Sequence, residues 1–496
     1  MARTPLFGAL AHALRETSTP LRPRAISRRA FLAGATALAA CQRPNSQAGA
    51  VAIVGGGVAG LTCAYRLARA GRAVTLYEAS GRFGGRMFTR RDFNEDGQFC
   101  ELGGELVDSN HAKLRALAQE LNVAIDPLAS ASERGADLYH IGGHIYAQHD
   151  MAGVFAPLAR RIAEDRNAST DAQDEWTARG RELDQLSLAQ YLHNVSNLTP
   201  RWATSLLEIA YRGEYGIPTE QQSALNLIDF IGAEPGGDFE MFGESDEAFR
   251  IHGGSSSLTD ALAAQLGGVD RALQHTLAGI ASAAGGVRLT FETNAGRIER
   301  EHAKVVLALP FTKLRQVAGI DTLGLAPEKL SAIRDLGYGD NSKLMISTKA
   351  RPWREAHAFS AAPSGVFFSD RFQCVWETSR GQSGTRGILT NFLTGMHDRD
   401  AALAAMRQGL SEFAPAMAES LDTTRTAWMD WSRQPLTLGS YAGPKVGQFT
   451  TLLEQGAPPS SDGRIHFAGE HTSVDFMGFM NGAVESGERV AAEILA

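Results

Sequence analysis

Apolar residues along this chain fall into short continuous runs and into longer helical rhythms. Val51-Ala52-Ile53-Val54 is a continuous run, suited to a strand covered on both faces. A glycine turn follows, then a helical pattern from Val58, then a second run at Val74 to Tyr77. Lys304 to Pro310 reads as another buried strand, stopped by proline, and Arg464 to His471 as a strand running into a glycine turn. Beyond it, Ala483, Val484, Gly487, Val490, Ala491 and Ile494 share one face of a final helix opening near Met480. Between these segments, Val287 to Arg300 alternates as a hairpin does. Asn341 to Thr348 and Gly387 to Leu393 read as strands, and Ala401 to Phe413 as a helix. Residues 111–240 read as a long, mostly helical insertion whose mixed-charge stretches, such as Pro157 to Asp184, are solvated faces without chemistry. Leu225 to Glu247 is acidic, with Asp229, Glu234, Asp238, Glu240, Glu244, Asp246 and Glu247. It admits two readings, a solvated loop or an electrostatic entrance for cations. The strand–helix–strand opening predicts an α/β fold.

The turn after Val54 carries Gly55, Gly57 and Gly60 at the G-x-G-x-x-G spacing. Gly55 allows a tight turn, Gly57 lets backbone amides approach a pyrophosphate at a helix N-terminus, and Gly60 permits close packing of helix on strand. Glu78, 18 residues after Gly60, ends the second strand where an acid accepts hydrogen bonds from a ribose. Strand, turn, helix, strand and acid stand in register, which predicts a dinucleotide site.

At 496 residues with 44% hydrophobic and 21% charged residues, the chain can bury the cores of two or three domains. The net charge of −7 understates the acidity of its working part. Residues 1–40 carry six Arg and one Glu, leaving a net −12 for the remainder, which argues against nucleic acid as a partner and accords with a cationic substrate. Ser27-Arg28-Arg29-Ala30-Phe31-Leu32 resembles a twin-arginine export motif, and the apolar stretch Ala30 to Ala40 is too short to span a bilayer. Leu38-Ala39-Ala40-Cys41 resembles a lipoprotein box, so a periplasmic protein, lipid-anchored through Cys41, is expected; ordinary cleavage after the alanines is the alternative. The other cysteines, Cys63, Cys100 and Cys374, make no disulfide framework, and Cys63 reads as a small buried residue. Without CxxC, HExxH or clustered Cys and His, no metal site is expected.

Gly81-Arg82-Phe83-Gly84-Gly85-Arg86 and Glu101-Leu102-Gly103-Gly104-Glu105 place glycine pairs beside charged residues. GGGVAG, YEASGRFGGR and ELGGELV, in this order and spacing, resemble the flavin-containing amine oxidases, the family of monoamine, polyamine and L-amino-acid oxidases. The resemblance covers essentially residues 50–496. It implies a discontinuous Rossmann-like FAD-binding domain (50–110, 250–320 and 430–496) and an α+β substrate-binding domain (111–249 and 321–429), while the export motif makes residues 1–41 a twin-arginine, lipoprotein-type signal. Position by position it implies that Gly55, Gly57, Gly60, Glu78, Arg86, Gly103, Gly104 and Glu470 line FAD, with Leu277 meeting the adenine and Met480 the flavin by main chain. Ser80 departs from relatives that carry Arg there.

The same resemblance places Lys343 where the family has a lysine bonded to a water near flavin N5. Tyr441 and Phe479 match the two walls of an aromatic cage that orients the substrate nitrogen and excludes water, with Trp431 in the same constellation. Ser440 stands where monoamine oxidases carry the cysteine that binds flavin, so FAD is expected to be non-covalent. The implied activity is oxidation of a small-molecule amine by hydride transfer, with imine hydrolysis and oxygen reduced to hydrogen peroxide. L-amino-acid oxidase or tryptophan monooxygenase is the alternative. Those enzymes need a cation for the substrate carboxylate, commonly an Arg just after the glycine pair. Here Glu105-Leu106-Val107-Asp108 stands there, and Arg371 is a substitute from elsewhere. Asp108 either guides a polyamine or is a solvated turn residue. A dehydrogenase with a periplasmic acceptor is a further alternative; oligomeric state is not legible.

Overall fold

A strand with four apolar residues and no polar face must be covered on both sides. In the computed structural model, Val51–Val54 lies at the centre of a five-stranded sheet, and residues 50–128, 135–233, 239–355 and 363–496 are described. The strand order is Asp270–Ala272, Val74–Tyr77, Val51–Val54, Lys304–Leu307, Ile465–Phe467, and all neighbours are parallel. The chain leaves Val54 toward one neighbour and returns from remote sequence to pair with the other. The glycine turn therefore sits at a topological switch point, where α/β sheets bind ligands. The edge strand Asp270–Ala272 was not expected from the sequence, because three residues with two charges give no apolar run.

The first helix, Val58–Arg69, and the last, Met480–Leu495, pack on each other and cover one face of this sheet. Their contact is close because a Cβ at Gly487 would lie 2.4 Å from the Ala59 carbonyl oxygen. Leu61, Leu67, Val484 and Val490 are fully buried there, each worth about 1.5–3 kcal/mol of apolar transfer. Cys63 is buried in the same core, as expected. An antiparallel sheet of Thr276–Ala283, Gly286–Thr293 and Gly296–His302 contains the hairpin read from the alternation.

A second, seven-stranded sheet carries Asn341–Thr348 between Leu421–Asp430 and Gly387–Thr394. All eight residues of Asn341–Thr348 are buried, including Lys343. At the far edge are Ala136–Ile141 and His144–Ala147, so the mostly helical insertion also supplies a hairpin to this sheet. The hairpin's polar and apolar residues mix on both faces, which hid its period. Pro157 to Asp184 is likewise not a solvated face throughout. Leu158 and Ile162 are core residues, and the wholly buried Asp184 accepts hydrogen bonds from the Ser223 hydroxyl and the backbone amides of Phe449 and Thr450. Leu225–Phe230 is a buried helical turn, while Glu234 and Asp238 lie outside the described residues. The export signal and Cys41 also lie outside them. Among the described residues no helix is long and apolar enough to cross a membrane.

Candidate active site

One cavity of about 500 Å³ runs from the glycine turn at Val54 and Gly55 to the aromatic side chains Tyr441 and Phe479. At its first end the three fingerprint glycines do three different things. Gly55 has φ +111°, and a Cβ there would lie 2.3 Å from the Ala308 carbonyl oxygen. A Cβ at Gly60 would come within 2.0 Å of the Gly55 carbonyl oxygen. A Cβ at Gly57 would meet nothing within 4 Å, because it points into the cavity. Gly57 is also the N-cap of the first helix, with no side-chain cap and no acidic residue in the first turn, so that helix end offers amides to an anion. Glu78 is held beside it: its carboxylate accepts the backbone amides of Gly56 and Ser80, each at 2.7 Å.

Further along, Arg86 joins three segments. Its guanidinium donates to the Ser440 carbonyl (2.6 Å) and to Glu470 (2.9 Å), and the Glu470 carboxylate also accepts the Gly478 amide at 2.9 Å. Gly103 and Gly104 have no room for side chains: a Cβ at Gly103 would strike the Arg86 carbonyl, and one at Gly104 the Met480 sulfur. Met480 opens the last helix, whose N-cap Phe479 gives no side-chain cap and whose first turn holds no acid. A second helix N-terminus thus faces the cavity with its amides available. Leu277 and His275 line the cavity at the Glu78 end.

At the other end, Lys343 Nζ donates to the Gly103 carbonyl (3.0 Å) and to Glu105 Oε2 (3.1 Å), with the Trp376 ring 5.2 Å away. Both members of this pair are more than nine-tenths buried. Tyr441 is fixed by its hydroxyl, which donates to the Glu214 carbonyl at 2.5 Å, and burial pushes that phenol well above its ordinary range. Phe479 lies against Phe230 and His111. Trp431 also lines the cavity, but its indole N–H is spent on the Leu102 carbonyl at 2.8 Å, so it acts as a wall and a brace. Ser440 lines the cavity and its hydroxyl donates to Asn341.

The model of the flavin containing amine oxidoreductase family matches residues 58–495. The chain belongs to that family. It is 27% identical to (S)-6-hydroxynicotine oxidase of Paenarthrobacter nicotinovorans, over 89% of this chain and 98% of that one. It is also 27% identical to an L-amino acid dehydrogenase of a Synechocystis species, over 92% of this chain and 96% of the relative. Its fold matches cyclohexylamine oxidase from Brevibacterium oxydans with TM-score 0.75 at 20% identity, covering 90% of this chain and 98% of that one. This flavin-containing amine oxidoreductase is therefore an FAD enzyme, and its donor set fits the cofactor. Two helix N-termini without side-chain caps, the open space at Gly57 and the ribose-type acid Glu78 line one continuous cavity.

All the residues expected at the site except Gly60 line this cavity, and Gly60 supports the turn from behind. Two further residues, Arg371 and Asp108, lie away from this cavity. Arg371 is exposed, ion-paired with Glu412, and not at the cavity, so it supplies no carboxylate clamp in this amine oxidoreductase. Asp108 is not a solvated turn residue, and it lines a small adjoining cavity with Phe230 and Phe479 rather than the main one. Buried at 3% exposure, it accepts the Ser245 hydroxyl and the Glu247 amide, each at 2.8 Å, and so clamps the acidic segment. That clamp holds Glu247 at φ +46° and turns it into the cavity wall. Burial, aided by Asp108 and Glu214 and opposed by Arg380, pushes the Glu247 carboxyl up to about 8. Glu105, Glu214, Trp376 and Phe392 are lining residues that sequence reasoning did not pick out, and Glu247 was named there only as one of an acidic series. For Glu105, its place directly after the glycine pair was the available signal. Asp340, His397 and Asp430 come together where Asp430 pairs with Ser342, and each imidazole nitrogen faces a different carboxylate, 3.3 and 2.9 Å away.

Proposed function

We propose that this enzyme oxidises a cationic or neutral small-molecule amine rather than an amino acid. One observation carries the choice. The Arg and Lys side chains lining the cavity all have protein partners, while Glu105, Glu214 and Glu247 line its Lys343 end. Arg82 donates to the carbonyls of Phe83 and Gly85, Arg86 binds Glu470 and Lys343 binds Glu105. An α-carboxylate placed there would find no cation left over to clamp it in a bidentate pair.

FAD, when bound, supplies the acceptor for a hydride from the carbon beside nitrogen. Tyr441 and Phe479 orient the nitrogen and exclude water, which favours the neutral amine that can release hydride. The imine hydrolyses to a carbonyl compound and ammonia or a smaller amine. Two electrons and two protons then reach oxygen as hydrogen peroxide, or the electrons pass to a periplasmic acceptor. With Ser440 in place of a flavin-linking cysteine, the cofactor is non-covalent, and acid precipitation releases it to the supernatant. The arginine pair and Cys41 support export by the twin-arginine route and lipid attachment.

The test is anaerobic mixing of the yellow protein with amines and with L-amino acids while the oxidised flavin band is followed. Bleaching by amines alone supports the proposal; bleaching by amino acids alone overturns it. Turnover with dye compared with oxygen then decides the acceptor.

A further inference from the structure

The Lys343–Glu105 pair joins residues 238 positions apart in the sequence, both buried, at the wall the amine would share. An ammonium group has three donors in a rotating cone. Two are spent here, on the Gly103 carbonyl and on Glu105. These two contacts, with the Trp376 ring at 5.2 Å, leave one N–H for the cavity and fix where it points. Glu105 is itself fixed, because it leads into the strand Leu106–Val107, which pairs with Phe249–Ile251.

We propose that Glu105 is the positioning residue for Lys343: its carboxylate orients the lysine ammonium so that the remaining N–H addresses the reaction space. The inference rests on the amine-oxidation reading, in which Lys343 is the lysine that family resemblance places near flavin N5, and adds the group that would orient it. A buried ion pair contributes little net stability, since desolvation offsets attraction, but loss of one partner leaves the other buried and misdirected. The charges around the pair sharpen this dependence. Glu101, which burial pushes up to about 7, and Arg250 act on it from neighbouring elements, and Glu214 and Glu247 face the same cavity. Without Glu105 the lysine has only the Gly103 carbonyl as a direct partner, and the next carboxylates would compete for it.

The decisive experiment is a double-mutant cycle with Glu105→Gln and Lys343→Met on the FAD-loaded enzyme. Two steps are read: bleaching by an amine, and reoxidation by dye or oxygen of enzyme reduced photochemically. The second needs no amine, so a failure of the substrate reading leaves this test intact. The expected result is that Glu105→Gln retains FAD with an unchanged absorption band, slows one or both steps about tenfold or more, and lowers kcat with little change in KM. In the Lys343→Met background the same substitution changes the rates less than about twofold, and Glu105→Asp recovers part of the loss. Equal losses from Glu105→Gln with and without Lys343, or no loss in the Lys343 enzyme, would overturn the proposal. If Glu105→Gln does not fold, Glu105→Asp alone carries the test: a normal rate with the shortened side chain would sink it.

Discussion

At the glycine turn much of the cavity wall comes from one continuous stretch, Val51 to Glu78, which presents backbone amides and small residues, with His275 and Leu277 beside it. Around Lys343 it is built from side chains brought together from separate segments of the chain, among them 103–105, 214–215, 343, 376, 441 and 479. The first end is specified by local sterics and the second by tertiary packing. The difference predicts how each end responds to substitution, because a backbone site fails by obstruction and a side-chain site by misplacement.

The largest expected effects come from two glycines three residues apart. Gly60→Val places a branched side chain against the Gly55 carbonyl and should cost roughly 3 kcal/mol or more of stability, enough to leave little soluble protein. Gly57→Val points into open space and should fold with nearly unchanged denaturant midpoint while losing bound FAD. If both lose stability equally, the turn is not divided into packing and ligand-facing positions.

At the other end, Lys343→Met should keep FAD and lower the rate of flavin reduction or reoxidation about 100-fold, near the loss of a preorganised charged donor. Rapid-mixing absorbance checks it. Removing one cage wall with Tyr441→Ala should lower kcat/KM about tenfold. Tyr441→Phe, which keeps the ring and loses only the anchor to the Glu214 carbonyl, should change it less than about threefold. If the Phe variant is as damaged as the Ala variant, the hydroxyl anchor and not the aromatic face is what the site requires.

The smallest expected effect is on stability against pH. The Glu247 carboxyl is raised to about 8, so the folded protein holds a proton that the unfolded chain has already released above the ordinary carboxylate range. Stability should therefore fall as pH rises from about 5 through 8. The side chain is half-buried, so solvent screening limits the change to about 1–2 kcal/mol. Glu247→Gln should flatten that slope in chemical denaturation, and a slope unchanged by the substitution would assign the titration to another group.

The same contrast separates what was legible in the sequence. Gly55, Gly57, Gly60 and Glu78 carry their roles in local spacing, and the structure puts Gly55, Gly57 and Glu78 on the cavity wall with Gly60 packed behind it. Asn341–Thr348 was legible as a strand, yet nothing local says which of its buried residues meets a ligand. Lys343 and Tyr441 were placed by family resemblance, not by periodicity. Glu105 stayed hidden, and Glu247 was legible only as one of an acidic series, because a carboxylate's importance depends on what packs against it. One faces a lysine from a distant strand, and the other is turned inward by Asp108. Ala136–Ile141 stayed hidden because its partner strand, Pro363–Ser369, lies more than 200 residues away.

The close seating of the last helix on the first also sets an order of events in time. A chain emerging from the ribosome exposes the apolar face of Val58–Arg69 early, and the surface that covers it, including Gly487 against Ala59, is made last. Arg86 likewise waits for Ser440 and Glu470. Cofactor capture therefore belongs to the finished chain. Until then a sticky helix has to be sheltered, and shortening the chain before Met480 should yield an insoluble, colourless product rather than a weakened yellow one.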